Sequence, residues 1–211
     1  MINNIVCYDD NDFDLGEYFE LSWNDLQQTF AGQQEINFIP LQGLDSTEQN
    51  VKDAIAALQN NNFIFIGLSH GNKRQLLTDN DAYVNIDDIG HFAGSMYYSP
   101  ACKTAKKLGV ELINNGCIVA IACRKNTFAT YPDFYDVYIE CENHCLKEFL
   151  TKNISIQTAY ESMMAYFDDK VVKLLENHGD EILVAMELMQ NKDAFTILGN
   201  SQVTKSDFQV D

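Results

Sequence analysis

Short apolar runs of strand length alternate with longer segments of helical periodicity along this chain, and this alternation constrains the fold more than any other feature. Residues 117–122, CIVAIA, are apolar throughout, which is typical of a strand that is covered on both faces. Residues 15–31 place Phe19, Leu26 and Phe30 on one face of a helix. Strands that alternate with helices at this spacing predict an α/β fold, a three-layer α/β/α sandwich around a mostly parallel sheet.

The pattern predicts six strands and six helices. The strands are expected at residues 4–8, 35–41, 63–68, 96–99, 117–122 and 194–198. The helices are expected at residues 15–31, 47–58, 103–114, 140–150, 155–176 and 179–189, the second capped by Ser46 or Thr47. The polar residues 72–91 predict a loop with a short hairpin around 76–86. A chain of 211 residues, 46% apolar and without an internal repeat or linker, predicts one domain over 1–211.

Charge and the amino-terminal sequence limit the class of partner. The chain carries 31 acidic and 14 basic residues, a formal net charge of −17, which disfavours binding to nucleic acid and to anionic membranes. No apolar run is long enough to span a bilayer. The segment MINNIVCYDDNDFD has neither a basic flank nor a long apolar run, so no secretory signal is predicted and a cytoplasmic protein is expected.

The six cysteines do not form a disulfide or metal pattern. They show no small-scaffold spacing, and reduced thiols are expected. Cys141, His144 and Cys145 fall within about one helical turn, and no second ligand pair with zinc spacing accompanies them. The acidic run DDNDFD does not make a calcium loop, because Leu15 and Leu21 take its glycine and glutamate positions. No metal or cofactor is predicted.

Two residues capable of acyl-transfer chemistry follow two of the apolar strands. His70 ends the segment FIFIGLSH, and Cys102 ends the segment SMYYSPAC. Parallel neighbouring strands would present both residues at one edge of the sheet, where open α/β sheets carry their sites. The helix expected from residue 103 would direct its free amides at Cys102 and favour the thiolate. His70 would protonate a leaving amine.

The order of these motifs resembles that of the caspase-like (clan CD) cysteine peptidases, and most of all their CHAT and gingipain branch. The shared order is an apolar strand, His-Gly, a polar loop with Ile-Asp, an apolar strand, Ala-Cys, a helix, Asn-Gly and an apolar strand. CENHCLKEFLTKNISIQTAYESMMAYF and AFTILGNSQVT extend the similarity over residues 5–204. The chain departs from the pattern at Pro100, at residues 103–105 and at residues 200–201.

The resemblance implies a cysteine endopeptidase with a dyad of His70 and Cys102. It also implies that the N–H groups of Gly71 and Cys102 bind the oxyanion, that the substrate is a protein or peptide, and that a regulatory protein partner is compatible with the fold. In this class, loops after the first strand and after the strand that follows the cysteine grip the residue before the cleaved bond.

Those two loops carry acidic residues. They are Asp9 and Asp10 in the first loop, and Asp133 and Asp136 in the second. A carboxylate in a narrow pocket selects Arg or Lys by a charge-assisted hydrogen bond, so cleavage after a basic residue is predicted, with Arg favoured over Lys. The alternative interpretation is that these acids belong to a solvated surface.

Three further alternatives remain open. Cys123 is a rival nucleophile, because IVAIAC also ends a strand in Ala-Cys, and His91 is a rival base. The third alternative is a catalytically inactive caspase-like domain that acts as an interaction module. Pro100 motivates it, because proline fixes φ and removes an N–H two residues before Cys102.

Overall fold

A computed structural model describes residues 1–59, 61–78 and 81–210, and it contains two β-sheets in those ranges. The strands are β1 (Ile2–Tyr8), β2 (Ile36–Gln42), β3 (Phe63–Leu68), β4 (His70–Gly71), β5 (Gln75–Leu77), β6 (Ala82–Asn85), β7 (Ser95–Tyr98), β8 (Val119–Cys123) and β9 (Phe195–Gly199). The main sheet has the order β2-β1-β3-β7-β8-β9, and the small sheet has the order β4-β5-β6. In the main sheet all neighbours pair in parallel except β8 and β9. The prediction of a mostly parallel α/β sheet is confirmed.

Helices cover both faces of the main sheet. They are α1 (Gly16–Thr29), α2 (Glu48–Ala57), α3 (Leu108–Asn114), α4 (Tyr135–Thr151), α5 (Ile156–Leu175) and α6 (Asp180–Ala194). The side chain of Thr47 caps α2 by accepting a hydrogen bond from the Asn50 N–H. Thr47, and not Ser46, is therefore the N-cap residue. None of the described helices combines the length and the hydropathy needed to cross a membrane.

The alternation of side chains along the strands divides the core into two layers. In β8, Val119, Ile121 and Cys123 pack with α1, α4, α5 and α6, whereas Ala120 and Ala122 pack on the opposite face with α2, α3 and the small sheet. All five side chains are buried, which explains why this strand is apolar throughout. The three-layer α/β/α prediction is confirmed.

The hairpin predicted around residues 76–86 is present as β5 and β6, which pair antiparallel. Asp79 and Asn80, which fall within the predicted segment, lie outside the described residues. The small sheet also includes His70 and Gly71, which pair with Leu77 and Leu76. The sequence did not predict this third strand, because a two-residue strand is too short to show a period.

The helix predicted to begin at residue 103 begins later. Residues 104–106 form a short 3₁₀ turn, and α3 starts only at Leu108. Lys103 has a φ of +62°, in the left-handed region, which no continuous helix from Cys102 can include. The expectation that a helix amino terminus directs its amides at Cys102 is therefore wrong.

One buried side chain of α6 fixes the loop between β8 and α4. Asn191 is fully buried; its Oδ1 accepts a 2.8 Å hydrogen bond from the Phe128 N–H, and its Nδ2 donates a 2.7 Å bond to the Phe128 carbonyl. The hydroxyl of the neighbouring Thr127 donates a 3.0 Å hydrogen bond to the Pro100 carbonyl. These bonds hold the loop against the end of β7.

Asn191→Ala should lower the free energy of unfolding by about 1–3 kcal/mol, because it leaves backbone groups of Phe128 without their partners. Urea denaturation measures the change. Gln190→Ala is the matched control, since Gln190 lies exposed on the same helix and should change stability by less than about 0.5 kcal/mol. Equal midpoints for both variants would contradict the assigned role of Asn191.

Candidate active site

The two reactive residues predicted from the sequence lie in one cleft. β3 and β7 are parallel neighbours in the middle of the main sheet, and His70 and Cys102 follow their carboxyl ends. The cleft has a volume of about 90 Å³. It is lined by Leu15, Tyr18, Phe19, Ser69, His70, Pro100, Ala101, Cys102, Thr127, Phe128, Ala129 and Glu142.

Local hydrogen bonds shape the turn that carries Cys102. The hydroxyl of Ser99 donates a 2.8 Å bond to the Gly67 carbonyl of β3 and accepts a 3.2 Å bond from the Ala101 N–H. The hydroxyl of Thr104 donates a 3.0 Å bond back to the Ala101 carbonyl. The turn is therefore tied both to the neighbouring strand and to itself.

Pro100 fits this turn without breaking the sheet. The last backbone bond from this end of β7 is donated by the Ser99 N–H to the Ile121 carbonyl, so the missing N–H of Pro100 falls just beyond the ladder. The Pro100 carbonyl accepts the hydrogen bond from Thr127. Proline at this position is compatible with an ordered turn in front of Cys102.

The sulfur of Cys102 is bounded by a backbone amide from the loop after β8. The N–H of Thr127 points at Sγ with an N-to-S distance of 3.3 Å, and the Thr127 hydroxyl lies 3.6 Å from the same sulfur. An N–H group in this position can donate a hydrogen bond to the sulfur. The N–H of Thr127 therefore contacts the sulfur in place of the helix amides that the sequence predicted. The sequence did not indicate Thr127, because it is 25 residues away from Cys102.

His70 has a carboxylate partner that the sequence analysis did not select. Its Nε2 lies 3.1 Å from Oδ2 of Asp12, and the side chain of Asp12 is only 5% exposed whereas that of His70 is 48% exposed. The ring of Phe19 meets the imidazole edge to face, with 5.7 Å between the ring centroids. The imidazole is therefore contacted by Asp12 and by Phe19, and about half of its side chain is exposed.

Asp12 is itself fixed by the start of α1. Its Oδ1 accepts hydrogen bonds from the N–H groups of Asp14 and Leu15, at 3.0 and 2.7 Å. One carboxylate oxygen serves the helix and the other faces the histidine. The sequence gives no signal for this contact, because the path of the loop after β1 brings Asp12 to His70.

Gly71 is required by packing against the cysteine turn. A Cβ at this position would lie 2.8 Å from the Cβ of Ala101 and 2.9 Å from the Cγ2 of Thr104. Only a residue without a side chain lets β4 approach the turn that carries Cys102 this closely. The role of Gly71 as an oxyanion donor stays a prediction.

Glu142 of α4 is a buried acid in the wall of the cleft. The residue is 3% exposed, its Oε2 accepts a 2.7 Å hydrogen bond from the Tyr18 hydroxyl, and its Oε1 accepts a 3.3 Å bond from the Asn191 side chain. Burial raises the pKa of Glu142 to about 8, although the bond from Tyr18 acts to lower it. The carboxyl is therefore mostly protonated at neutral pH.

The four acids predicted to bind substrate are not among the residues that line this cleft. Asp9 is buried, and the carboxylate of Asp10 accepts a hydrogen bond from Gln42 at the end of β2, on the far side of β1 from β3. Asp133 and Asp136 are exposed, at the start of α4. Their role in substrate recognition stays a prediction, and Glu142 is an acid that lines the same cleft as Cys102.

The rival nucleophile and base lie elsewhere. Cys123 is fully buried, and burial raises its pKa well above the usual range, with the charge of Glu142 adding to the effect. The ring of His91 lies tilted against that of Phe92, on the face covered by α2, and burial lowers the pKa of His91. Cys102 is the one cysteine of the described residues that is not buried. No group of three or more His, Cys, Asp or Glu side chains in those residues is arranged to hold a metal ion.

Among the comparisons with known proteins, only the comparison with solved structures gives matches. No family model matches the sequence, and no curated protein matches it. Eight chains of solved structures match. One is a secreted C11 cysteine protease from Bacteroides thetaiotaomicron in complex with an irreversible peptide inhibitor, at a TM-score of 0.45 and 11% sequence identity, over 98% of this chain and 88% of that chain. The roles of individual residues therefore rest on the geometry of this chain itself.

Glu142→Gln should remove one source of pH-dependent instability. Between pH 4.5, the ordinary carboxyl pKa, and about pH 8, native Glu142 keeps a proton that the unfolded chain has lost, so its contribution to stability falls as the pH rises. Glutamine mimics the protonated acid at every pH. The variant should therefore gain stability relative to the parent on going from about pH 5 to about pH 8, measured by urea denaturation.

Glu20→Gln is the matched control, because it makes the same chemical change at an exposed position of α1. The assignment fails if Glu142→Gln and Glu20→Gln follow the same stability profile as the parent protein.

Proposed function

We propose that this protein is a cysteine endopeptidase in which Cys102 is the nucleophile and His70 is the general base and acid. The observation that carries the proposal is the convergence of a half-buried thiol and an imidazole in one cleft, with the imidazole paired to the buried carboxylate of Asp12. This is the arrangement of nucleophile, base and orienting group that acyl transfer needs.

The reaction then proceeds in two steps. His70 takes the thiol proton, and the Cys102 sulfur bonds to the carbonyl carbon of the scissile peptide bond. The C–N bond breaks as His70 returns the proton to the leaving amine, which leaves a thioester. A water molecule that loses its proton to His70 attacks the thioester, the C–S bond breaks, and the carboxylate product and the free enzyme are released.

Asp12 acts as a positioning residue. It holds Nε2 of His70 and stabilises the imidazolium that forms when the thiol is deprotonated. The N–H groups of Gly71 and Cys102 are the proposed oxyanion donors, and a single such donor is worth about 3–4 kcal/mol of transition-state stabilisation in acyl-transfer enzymes. The N–H of Thr127 is not among the proposed oxyanion donors, because it points at the sulfur.

A basic residue before the cleaved bond is the proposed substrate preference, with Arg favoured over Lys. The cleft combines apolar walls, from Leu15, Phe19 and Phe128, with the carboxyl of Glu142, which suits an aliphatic stem with a cationic tip. Its volume of about 90 Å³ is far below the roughly 300 Å³ of small-molecule sites, so it fits one side chain of a longer substrate. A bound cation would also draw the proton off Glu142.

Peptides varied at the residue before the cleaved bond test both the reaction and the preference. Arg peptides should be cleaved fastest, and Cys102→Ala and His70→Ala should each lower kcat by at least about 10³-fold, because each removes a member of the catalytic pair. Cys123→Ala should retain activity. Glu142→Gln should lose preference for the basic residue and keep activity on neutral peptides.

An acyloxymethyl ketone carrying Arg separates this proposal from an inactive interaction module. The adduct should map to Cys102 by mass spectrometry. The absence of both an adduct and cleavage would favour the inactive alternative, and cleavage that survives Cys102→Ala but not Cys123→Ala would overturn the assignment of the nucleophile.

Asp12→Asn should lower kcat by roughly 10- to 100-fold with little change in KM, which is part of the contribution that general acid–base catalysis makes. The amide oxygen still accepts from the start of α1, but the charge opposite His70 is lost, so the loss should fall on kcat rather than on KM. Asp14→Asn is the matched control, since Asp14 is exposed two residues away. An unchanged kcat for Asp12→Asn would exclude the positioning role.

A further inference from the structure

The basic residues of this acidic chain are unevenly distributed. Eight of the 14 Lys and Arg residues form ion pairs with acids in the described part of the chain. The six that form none there are Lys73, Lys103, Lys106, Lys107, Arg124 and Lys173. Five of these six lie in the segments that follow β4, β7 and β8. This concentration occurs in a chain whose acidic residues outnumber the basic ones about two to one.

Three lysines of this region line one open cleft. Lys103, Lys106 and Lys125 border a volume of about 390 Å³, together with neutral residues and one acid, Asp193. The ion pair between Lys125 and Asp193 is long, at 3.9 Å, and both side chains are largely exposed, so it neutralises little of the positive charge. We call this site the basic cleft.

The basic cleft adjoins the cleft that holds Cys102. Phe128 lines both. Lys103 directly follows Cys102, and its N–H donates a 3.0 Å hydrogen bond to the carbonyl of Lys125. A peptide held at Cys102 therefore has the basic cleft within reach of its neighbouring residues.

We propose that the basic cleft binds acidic side chains that flank the scissile bond of the peptide substrate; this rests on the proposed function. Cations that line one cleft repel one another, and a carboxylate between them would relieve the repulsion and form charge-assisted hydrogen bonds. The substrate class is then a peptide with a basic residue at the cleaved bond and Asp or Glu close to it.

A short acidic peptide fits these charges better than a nucleic acid does. A phosphate backbone would extend beyond the basic cleft and meet the rest of a surface that carries a net charge of −17. At physiological salt the Debye length is roughly 8 Å. Within that distance of the basic cleft, its own lysines dominate the electrostatic potential that a bound peptide meets. A single-stranded oligonucleotide is the control ligand for this point.

Cleavage of matched peptides tests the inference. Two Arg peptides would be compared, one with Glu residues flanking the cleaved bond and one with Gln at the same places. The parent protein should cleave the Glu peptide with a roughly tenfold higher kcat/KM at low salt, and the difference should shrink as NaCl is added. Lys106→Gln combined with Lys125→Gln should abolish the difference and leave cleavage of the Gln peptide unchanged.

Lys173→Gln is the matched control, because Lys173 is exposed, forms no ion pair among the described residues, and lies on α5 away from both clefts. It should preserve the preference for the Glu peptide. Equal cleavage of the two peptides by the parent protein would overturn the inference while leaving the proposed peptidase function intact.

Binding to the Cys102→Ala protein tests the inference without turnover. A fluorescent Glu-flanked peptide should bind it more tightly than the Gln-flanked peptide, and the two lysine substitutions should remove the advantage, measured by fluorescence anisotropy. Tighter binding of a single-stranded DNA oligonucleotide than of the Glu peptide would overturn the inference, as would equal binding of the two peptides.

Discussion

The parallel pairing of β3 with β7 in the middle of the main sheet is the constraint on which the candidate site depends. It brings together two chain segments that are about 30 residues apart, and it fixes the distance between the points where they leave the sheet. Ser99 reinforces the pairing at its open end through the carbonyl of Gly67. Since Gly71 leaves space for Ala101, the two segments also pack closely beyond the sheet. The positions of His70 and Cys102 follow from this arrangement of the backbone.

Buried polar groups hold the remaining walls of the cleft. Glu142 joins three helices, because it accepts hydrogen bonds from Tyr18 of α1 and Asn191 of α6. Asn191 in turn fixes the backbone of Phe128, and Thr127 next to it reaches the cysteine turn. A buried carboxyl is unfavourable unless it is protonated or paired. The same burial that weakens the fold as the pH rises leaves an acid ready to pair with a cation in the cleft.

The strands of the main sheet, the layers and the placement of His70 and Cys102 at one edge could be predicted from the sequence, because they depend on local periodicity and on the rule that parallel strands share a functional edge. Asp12 and Thr127 could not, since the paths of two loops bring them to the site. Glu142 had a readable signal: it lies four residues after Tyr138 and three before Cys145, on the buried stripe of α4. The helix after Cys102 was placed too early because periodicity does not report the left-handed conformation of Lys103.

Net charge alone gives an incomplete guide to the partner of this protein. A value of −17 attracts cations at long range, and Glu142 places a carboxyl in the wall of the cleft. Lys103, Lys106 and Lys125 create the opposite potential next to it. Salt screens the long-range field of the whole chain more than it screens contacts within the clefts. In the proposed function, recognition at physiological ionic strength should therefore follow the local pattern of charges rather than their sum. Glu142 would face one substrate residue, and the lysines would face its neighbours.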